Sequence, residues 1–512
     1  MKFHPDVLSW FSSVLSVSSV VQDLRLGFIA LAFLSACTVG PDYVRPTAET
    51  PPAYRESEGW KTAQPRDQEL RGKWWEIYND PLLNELVEQV SVSNQSLAQA
   101  AAQFRQARAL VQSTRAGYMP NLSAGASVAR SRSPSGFISQ NQNVNARGPS
   151  TRYSVSLDAK WELDLWGRVR RTVEADDAGA MASAADLQAL RLAVQAELAQ
   201  DYFQLHALDT QKTLYDDTIA AYQRTLTLTQ NQYKAGIVAK VDVIQAQTQL
   251  KTTQASALDL GVQRAQLEHA IALLTGKPAS TFTLAAAQLT ALPPALPAGL
   301  PSELLERRPD IAAAERRMAA ANAQIGVAKA AYYPSLKLSA SGGFQSSSLS
   351  NLLSLPSRFW SVGPDLAQAL FDGGLRRAQT DQAIAAYDAN VAGYRQTVLT
   401  AFKEVEDNLA ALRILEEEAA IQDEAVQNAR QSVLLTTNQY KAGIVSYLNV
   451  VLVHATALLN ERAAVEIQNR RLAASVLLVK ALGGGWNASE LPTPDDLARG
   501  ASHPRRDAVQ VR

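Results

Sequence analysis

Asn231-Gln232-Tyr233-Lys234-Ala235-Gly236-Ile237-Val238 recurs as Asn438-Gln439-Tyr440-Lys441-Ala442-Gly443-Ile444-Val445. Eight identical residues 207 positions apart mark an internal duplication. The register extends outward: Glu197 falls on Glu404 and Gly276 on Gly483, while Arg170-Arg171 falls on Arg376-Arg377 with a shift of 206. Tyr118-Met119-Pro120-Asn121-Leu122 is similar to Tyr332-Tyr333-Pro334-Ser335-Leu336. A solenoid needs three or more short repeats, so two long copies indicate one doubled fold.

Each copy reads as helix, strand pair, very long helix, tip, long helix. Asp80-Pro81 starts the first helix, an acidic N-cap followed by proline at the first helical position, and the helix runs to about Gly117. Its counterpart starts at Pro309-Asp310 and runs to about Ala331. Pro120 and Pro334 end these helices and hand over to extended chain. Asp186–Tyr233 holds no proline or glycine, and Arg376–Lys441 holds only Gly393. About 45 residues of helix would span roughly 65–70 Å. Apolar positions recur at three and four residues (Leu187, Leu190, Val194, Leu198, Tyr202, Leu205), the pattern of a coiled-coil seam. A simple coiled coil also fits that periodicity; the helix–strand–helix duplication favours a barrel of helices continuing a barrel of strands.

In Tyr153–Leu165 every odd position is apolar, and the even positions include Ser154, Ser156, Asp158, Lys160 and Glu162. Such alternation puts one set on each face of a strand long enough to cross the outer membrane, the polar set facing a lumen. Leu122–Val128 and Leu336–Phe344 alternate less strongly, and Phe359–Leu370 carries Pro364, which weakens it as a strand. A soluble sandwich edge accounts for one such strand but poorly for four among long helices. Ser131–Ser150 and Gln345–Ser357, rich in Ser, Gly and Asn, read as exposed hairpin loops.

Formal net charge is zero, which argues against a broad nucleic-acid surface. The five histidines are scattered without metal-ligand spacing, and no phosphate-binding glycine loop is present, so no cofactor is implied. No nucleophile–base pair emerges, and an enzyme is not expected. The one cysteine, Cys37, follows an apolar run, Leu26–Ala36, and Leu34-Ser35-Ala36-Cys37 resembles a bacterial lipobox. Cleavage before Cys37 and acylation of its thiol follow; a simple secretory signal with a chance cysteine is the alternative. Residues 1–24 make a long leader, which raises a translation start further along. Beyond that run no stretch of about 18 apolar residues occurs, so membrane attachment falls to the lipid, to strands, or to both.

Several runs together resemble the outer-membrane factors of tripartite efflux systems, the TolC/OprM type, in their NodT-like lipoprotein branch. They are Cys37-Thr38-Val39-Gly40-Pro41-Asp42-Tyr43-Val44-Arg45-Pro46, Trp74-Trp75 through Asp80-Pro81-Leu82-Leu83, and Leu300-Pro301-Ser302-Glu303-Leu304-Leu305-Glu306-Arg307-Arg308-Pro309-Asp310-Ile311. Phe371-Asp372-Gly373-Gly374 and Ala481-Leu482-Gly483-Gly484-Gly485-Trp486 complete the set. The resemblance implies a mixed α/β membrane protein. Three chains of four strands would close a twelve-stranded outer-membrane β-barrel, continued by a periplasmic α-helical barrel with an equatorial collar. It also implies a homotrimer working with a periplasmic adaptor (membrane fusion) protein and an RND-type inner-membrane pump, embedded in outer-membrane lipid. Thr38 after the cysteine fits outer-membrane sorting. The expected divisions are a signal peptide at 1–36, an anchored segment at 37–79, repeat one at 80–275, an equatorial linker at 276–308, repeat two at 309–485 and a loosely ordered tail at 486–512.

Adaptor hairpins would dock at the tips, on Tyr233, Lys234, Ala235, Gly236 and Val238 and on Tyr440, Lys441, Ala442 and Gly443. The family's acidic ring has no match in the second tip, where Val445 stands. Val445 and Tyr447 are expected to narrow the pore sterically, with Asp242 the acidic residue of the first tip. The expected function is passive conduction of drugs or other small molecules from periplasm to exterior. A duct for protein secretion and a non-porous lipid-anchored scaffold are the alternatives.

Overall fold

A computed structural model describes residues 38–47, 50–51, 53–57, 72–132, 149–294 and 304–499. The first copy comprises α1 (Pro81–Ser93), α2 (Gln95–Arg115), β1 (Asn121–Ser131), β2 (Ser150–Leu163), α3 (Arg168–Lys234) and α4 (Lys240–Leu274). The second comprises α5 (Leu304–Arg307), α6 (Pro309–Ala330), β3 (Ser335–Ser346), β4 (Arg358–Ala367), α7 (Leu375–Lys441) and α8 (Tyr447–Ala481), and a short α9 (Pro494–Ala498) follows.

The first long helix exceeds the sequence expectation, which began it at Asp186, while the second starts one residue before the expected Arg376. α3 and α7 each have 67 residues, and α4 and α8 each have 35. At 1.5 Å per residue the longer pair spans about 100 Å. The extra turns of α3 lie before Asp186, beyond Gly179. One interior glycine costs only about 1 kcal/mol, too little to end so long a helix. What starts it is Gly167, left-handed at φ 75°, with the Asp164 carboxylate accepting the N–H groups of Val169 and Arg170, both at 2.8 Å. Gly374, at φ 93°, and Asp372, accepting from Gly374 and Arg376, do the same for α7. Free N–H groups at a helix start favour a carboxylate there.

Two offsets relate the copies. Gly167 to Gly374 and all four long-helix boundaries keep 207, so Arg170 corresponds to Arg377, one place from the register read in sequence. Before the hairpins the offset is 214: Tyr118 falls on Tyr332 and Asn121 on Ser335. The loop at 132–149 is seven residues longer than that at 347–357, which accounts for the change. The partner of α6 is therefore α2, not the helix at Asp80-Pro81, and the first helix of copy one is broken at Asn94. Asn94 is extended (ψ 124°) and its side chain accepts the Leu97 N–H, closing α1 and capping α2.

The same junction recurs in both copies and fixes the collar. Asn94 Nδ2 donates to the Leu274 carbonyl at the end of α4 (2.9 Å); Arg308 Nη1, its counterpart, donates to the Ala481 carbonyl at the end of α8 (3.1 Å). Gly276 and Gly483 follow those helix ends at positive φ, and a Cβ there would lie 2.4 Å from the Ser93 oxygen and 2.1 Å from the Arg307 oxygen. Only glycine permits both the turn and the approach. Around this level Trp74, Trp75, Tyr78, Phe282, Leu284 and Leu289 cover the middle of α3 and α7 in one apolar core. Arg308 also pairs with Glu404 (2.7 Å) and Asp310 (2.7 Å). Copy one has Asn94 in that place, so the position offers no guanidinium to Glu197, the counterpart of Glu404.

From Trp486 to Arg499 the chain is packed, against the expectation of a loose tail over that stretch. Leu497 of α9 is buried against Val111, Ala180 and Met181, and the Arg115 guanidinium donates to the Pro494 carbonyl (3.0 Å). One leucine with a Thr493–Asp496 cap, in a polar stretch, is a weak sequence signal but sufficient anchorage.

Among the described residues the strands form one antiparallel sheet in the order β1-β2-β3-β4. β4 contains Pro364, is nevertheless paired with β3 along its length, and ends at Ala367, short of Leu370.

Gly483→Ala is expected to lower the thermal midpoint in detergent by the equivalent of about 2–3 kcal/mol or more, since strained φ and a backbone clash combine. Gly179→Ala, helical with open space at its Cβ position, is expected to leave the midpoint unchanged or raise it. Burial, reinforced by Glu197 one turn before, raises Asp201 of α3 from its ordinary 3.8 to about 6. The unfolded carboxyl ionises first, so this residue supports folding below pH 4 and that support is lost as pH rises through 6. Asp201→Asn should flatten the fall in stability across that window, read as unfolding midpoints from pH 4 to 7.

Candidate channel surface and periplasmic tips

Strand register decides what each sheet face carries. Leu122, Ala124, Ala126 and Val128 of β1 stand opposite Ala159, Leu157, Val155 and Tyr153 of β2. Val155, Ala159, Trp161 and Leu163 stand opposite Phe344, Ala340, Leu338 and Leu336 of β3; the last three continue onto Val362, Pro364 and Leu366 of β4, while Phe344 meets Arg358 at the end of the strand. One face is thus apolar across all four strands, and it is bare: Leu122 is 71% and Trp360 78% exposed. An apolar surface so continuous marks an interface rather than a wetted face.

The opposite face gathers Ser123, Ser127, Ser154, Ser156, Asp158, Lys160, Glu162, Lys337, Ser339 and Ser341. Ser154 and Ser127 share a hydrogen bond (2.8 Å), and Ser156 donates to Asp158 (2.8 Å). Glu162 sits at the end of the strand, held by Arg168 at 2.9 Å. The five polar residues read from β2 therefore share one surface. Both edges of the sheet, β1 and β4, lack a partner strand among the described residues.

At the far end of α3 and α7 the identical octapeptides fold identically. Gly236 donates to the Tyr233 carbonyl and Ile237 to that of Gln232, both at 2.9 Å; Gly443 and Ile444 make the same bonds to Tyr440 and Gln439. This double closure around a left-handed glycine (φ 75° and 76°) ends each helix and reverses the chain. The surroundings nevertheless differ. Tyr440 is 3% exposed and Tyr233 is 44% exposed. The Tyr440 hydroxyl meets Thr229 Oγ1 (2.8 Å) and donates to Gln232 Oε1 (2.9 Å), both on α3 of the first copy. Its ring packs edge-on against Tyr447 at 6.0 Å.

These contacts revise the tip assignments. Tyr440 is interior and offers no surface for docking; Lys234, Ala235, Gly236, Lys441, Ala442 and Gly443 are exposed, and Val238 is half-buried. Tyr447 is only 2% exposed, so its ring props the tip from inside and presents no free face to a lumen. Val445 is half-buried against that cluster. The Asp242 carboxylate accepts the Ala239 N–H (3.1 Å) at the start of α4, a capping role. Ile237 and Ile444, more than 70% exposed, are the prominent apolar residues of the tips. Both sit inside the duplicated octapeptide, next to the glycine that reverses the chain. Cys37 lies outside the described residues; next to it, Thr38 contacts the Gly167 position and Val39 donates to the Trp166 carbonyl (3.3 Å), where sheet meets helix.

The family model described as outer membrane efflux protein matches residues 86–277 and 300–484. The outer membrane protein OprJ of Pseudomonas aeruginosa is 32% identical over 460 residues, covering 89% of this chain and 94% of OprJ. The toluene efflux pump outer membrane protein TtgF of Pseudomonas putida is 31% identical over 468 residues, covering 90% and 96%. Among solved structures, the outer-membrane channel OprN superposes with a TM-score of 0.81 at 34% identity, covering 88% of this chain and all of that one. The open state of the MtrE outer membrane channel of Neisseria gonorrhoeae gives 0.76 at 28% identity, over 88% and 99%. The chain belongs to the outer membrane efflux protein family, and its place is the outer membrane of a Gram-negative cell.

Proposed function

We propose that three copies of the chain close into a continuous duct that passively conducts small molecules from periplasm to exterior. The carrying observation is the apolar face that runs across β1-β2-β3-β4, with Arg358 at one end of β4, while both sheet edges stay unpaired among the described residues. Lipid does not tolerate open strand edges, so the greasy face requires closure. Pairing β4 of one copy with β1 of the next gives twelve strands and an inner surface made of the Ser, Asp, Lys and Glu face. Helices α3 and α7 then continue the wall for about 100 Å into the periplasm.

Cys37 carries the lipid anchor in this reading. Its neighbour Thr38, set at the sheet–helix junction, would hold the acyl chains at the level of the membrane surface. A periplasmic adaptor docks on the exposed tips, around Lys234, Ala235, Gly236 and Ile237 and around Lys441, Ala442, Gly443 and Ile444. An RND-type inner-membrane pump supplies the energy. Relatives bear the names of toluene, solvent and antibiotic efflux components, which supports hydrophobic drugs and solvents as the exported class.

Leu157→Arg and Ser156→Arg test this at adjacent positions. Arginine on the lipid face near the midplane should cost about 2–4 kcal/mol and reduce assembled protein in the outer membrane. Ser156→Arg should assemble normally and shift single-channel selectivity in planar bilayers toward anions. Equal tolerance of both, or protein that inserts and conducts nothing, would overturn the reading.

A further inference from the structure

The duplication relates contacts as well as sequence. Within one chain α8 of the second copy packs along α3 of the first, and Tyr440 enters the end of that contact. The operation that carries copy one onto copy two, applied again, carries this contact to α4 of a neighbouring chain against α7. No comparable contact between α4 and α7 forms within the chain, and both helices are bare where it would lie. α4 exposes Val241, Ile244, Leu258 and Val262, and α7 exposes Leu399, Ile414, Ile421 and Leu434. α3, already covered, exposes no large apolar side chain except Tyr233.

Tyr233 is the copy of Tyr440, and Thr436 and Gln439 are the copies of Thr229 and Gln232 at the same offset of 207. We infer that Tyr233 of one chain inserts between Thr436 and Gln439 of the next, repeating across the subunit boundary the buried hydrogen-bonded contact that Tyr440 makes inside each chain. The occupant of the notch is a second copy of this chain. Six tyrosine contacts then encircle the periplasmic end, alternately within and between chains, and the tips hold one another closed as a ring. The two kinds differ in strength. Tyr440 has Tyr447 against its ring, while the counterpart of Tyr447 beside Tyr233 is Lys240, so the contact between chains lacks the aromatic prop and parts first. The inference rests on the threefold assembly proposed above.

The test uses the full chain in detergent with short thiol-to-thiol reagents. Gln232→Cys with Tyr440→Cys selects the shortest reagent that joins the two positions inside one chain, read as a faster-migrating monomer. The same reagent on Tyr233→Cys with Gln439→Cys should give covalent dimers and trimers, absent from each single variant. A trimer by solution mass with no covalent bands would overturn the contact and leave the assembly standing; a monomer by mass would remove both. Function gives a second readout. Tyr233→Phe and Tyr440→Phe should each raise closed-channel conductance several-fold in planar bilayers, Tyr233→Phe by more. An effect from Tyr440→Phe alone would refute the role of Tyr233.

Discussion

A peptide group in lipid has no water to turn to. That constraint governs this molecule, because one chain brings four strands, one apolar face and two open edges to the membrane. A four-stranded sheet of this kind is incomplete by construction. Everything beneath it must let a sheet edge meet its counterpart on another copy. The left-handed glycines Gly167 and Gly374, each with a nearby aspartate on the opening N–H groups, redirect the chain from strand to helix at two equivalent points. The strand wall thereby passes directly into the helix wall.

The collar solves a different problem. Helices of 67 residues rich in alanine and small polar side chains carry little apolar bulk, and length alone does not keep them in register. The register comes from the recurring junction in which Asn94 or Arg308 reaches the last carbonyls of the returning helix while Ser93 or Arg307 presses its backbone onto a glycine. The aromatic segment around Trp74 and Trp75 then adds buried area at the same level. Arg308 brings further charge to its version, being buried and matched by two carboxylates, a geometry that penalises removal of either partner.

Much of this was legible in the residues. The repeat, the four strands, the tip reversals and the alternation in Tyr153–Leu165 follow from periodicity and from glycine and proline chemistry. The break at Asn94 was not, since an asparagine inside an otherwise helical run looks like a surface residue until its side chain finds the Leu97 N–H. The true start of α3 was obscured because the interior Gly179 reads as a boundary and the capping Asp164 reads as one more charge, whereas that of α7 lies one residue from the expected Arg376. The packed tail depends on a single leucine meeting a pocket assembled from α2 and α3. Local pattern reports what a segment can do alone; these features exist only where distant segments meet.

The tips carry that argument to its limit. Tyr233 and Tyr440 share the same eight-residue setting, the same helix ending and the same left-handed glycine, yet one is buried and the other bare. No local property can account for the difference, because no local property differs through Val445. The cause is the neighbouring helix, present for Tyr440 and missing for Tyr233 within the chain. Burial of a bulky side chain that also satisfies its hydroxyl is worth more than leaving it in water. A doubled sequence thus displays, inside one chain, the contact that its outer half is shaped to make elsewhere. The same logic holds for the sheet, where β2 and β3 join the two copies through a complete ladder and β1 and β4 present matching edges outward. Tip and barrel, at opposite ends of the molecule, leave the same kind of bond unmade, and one rotation about one axis completes both.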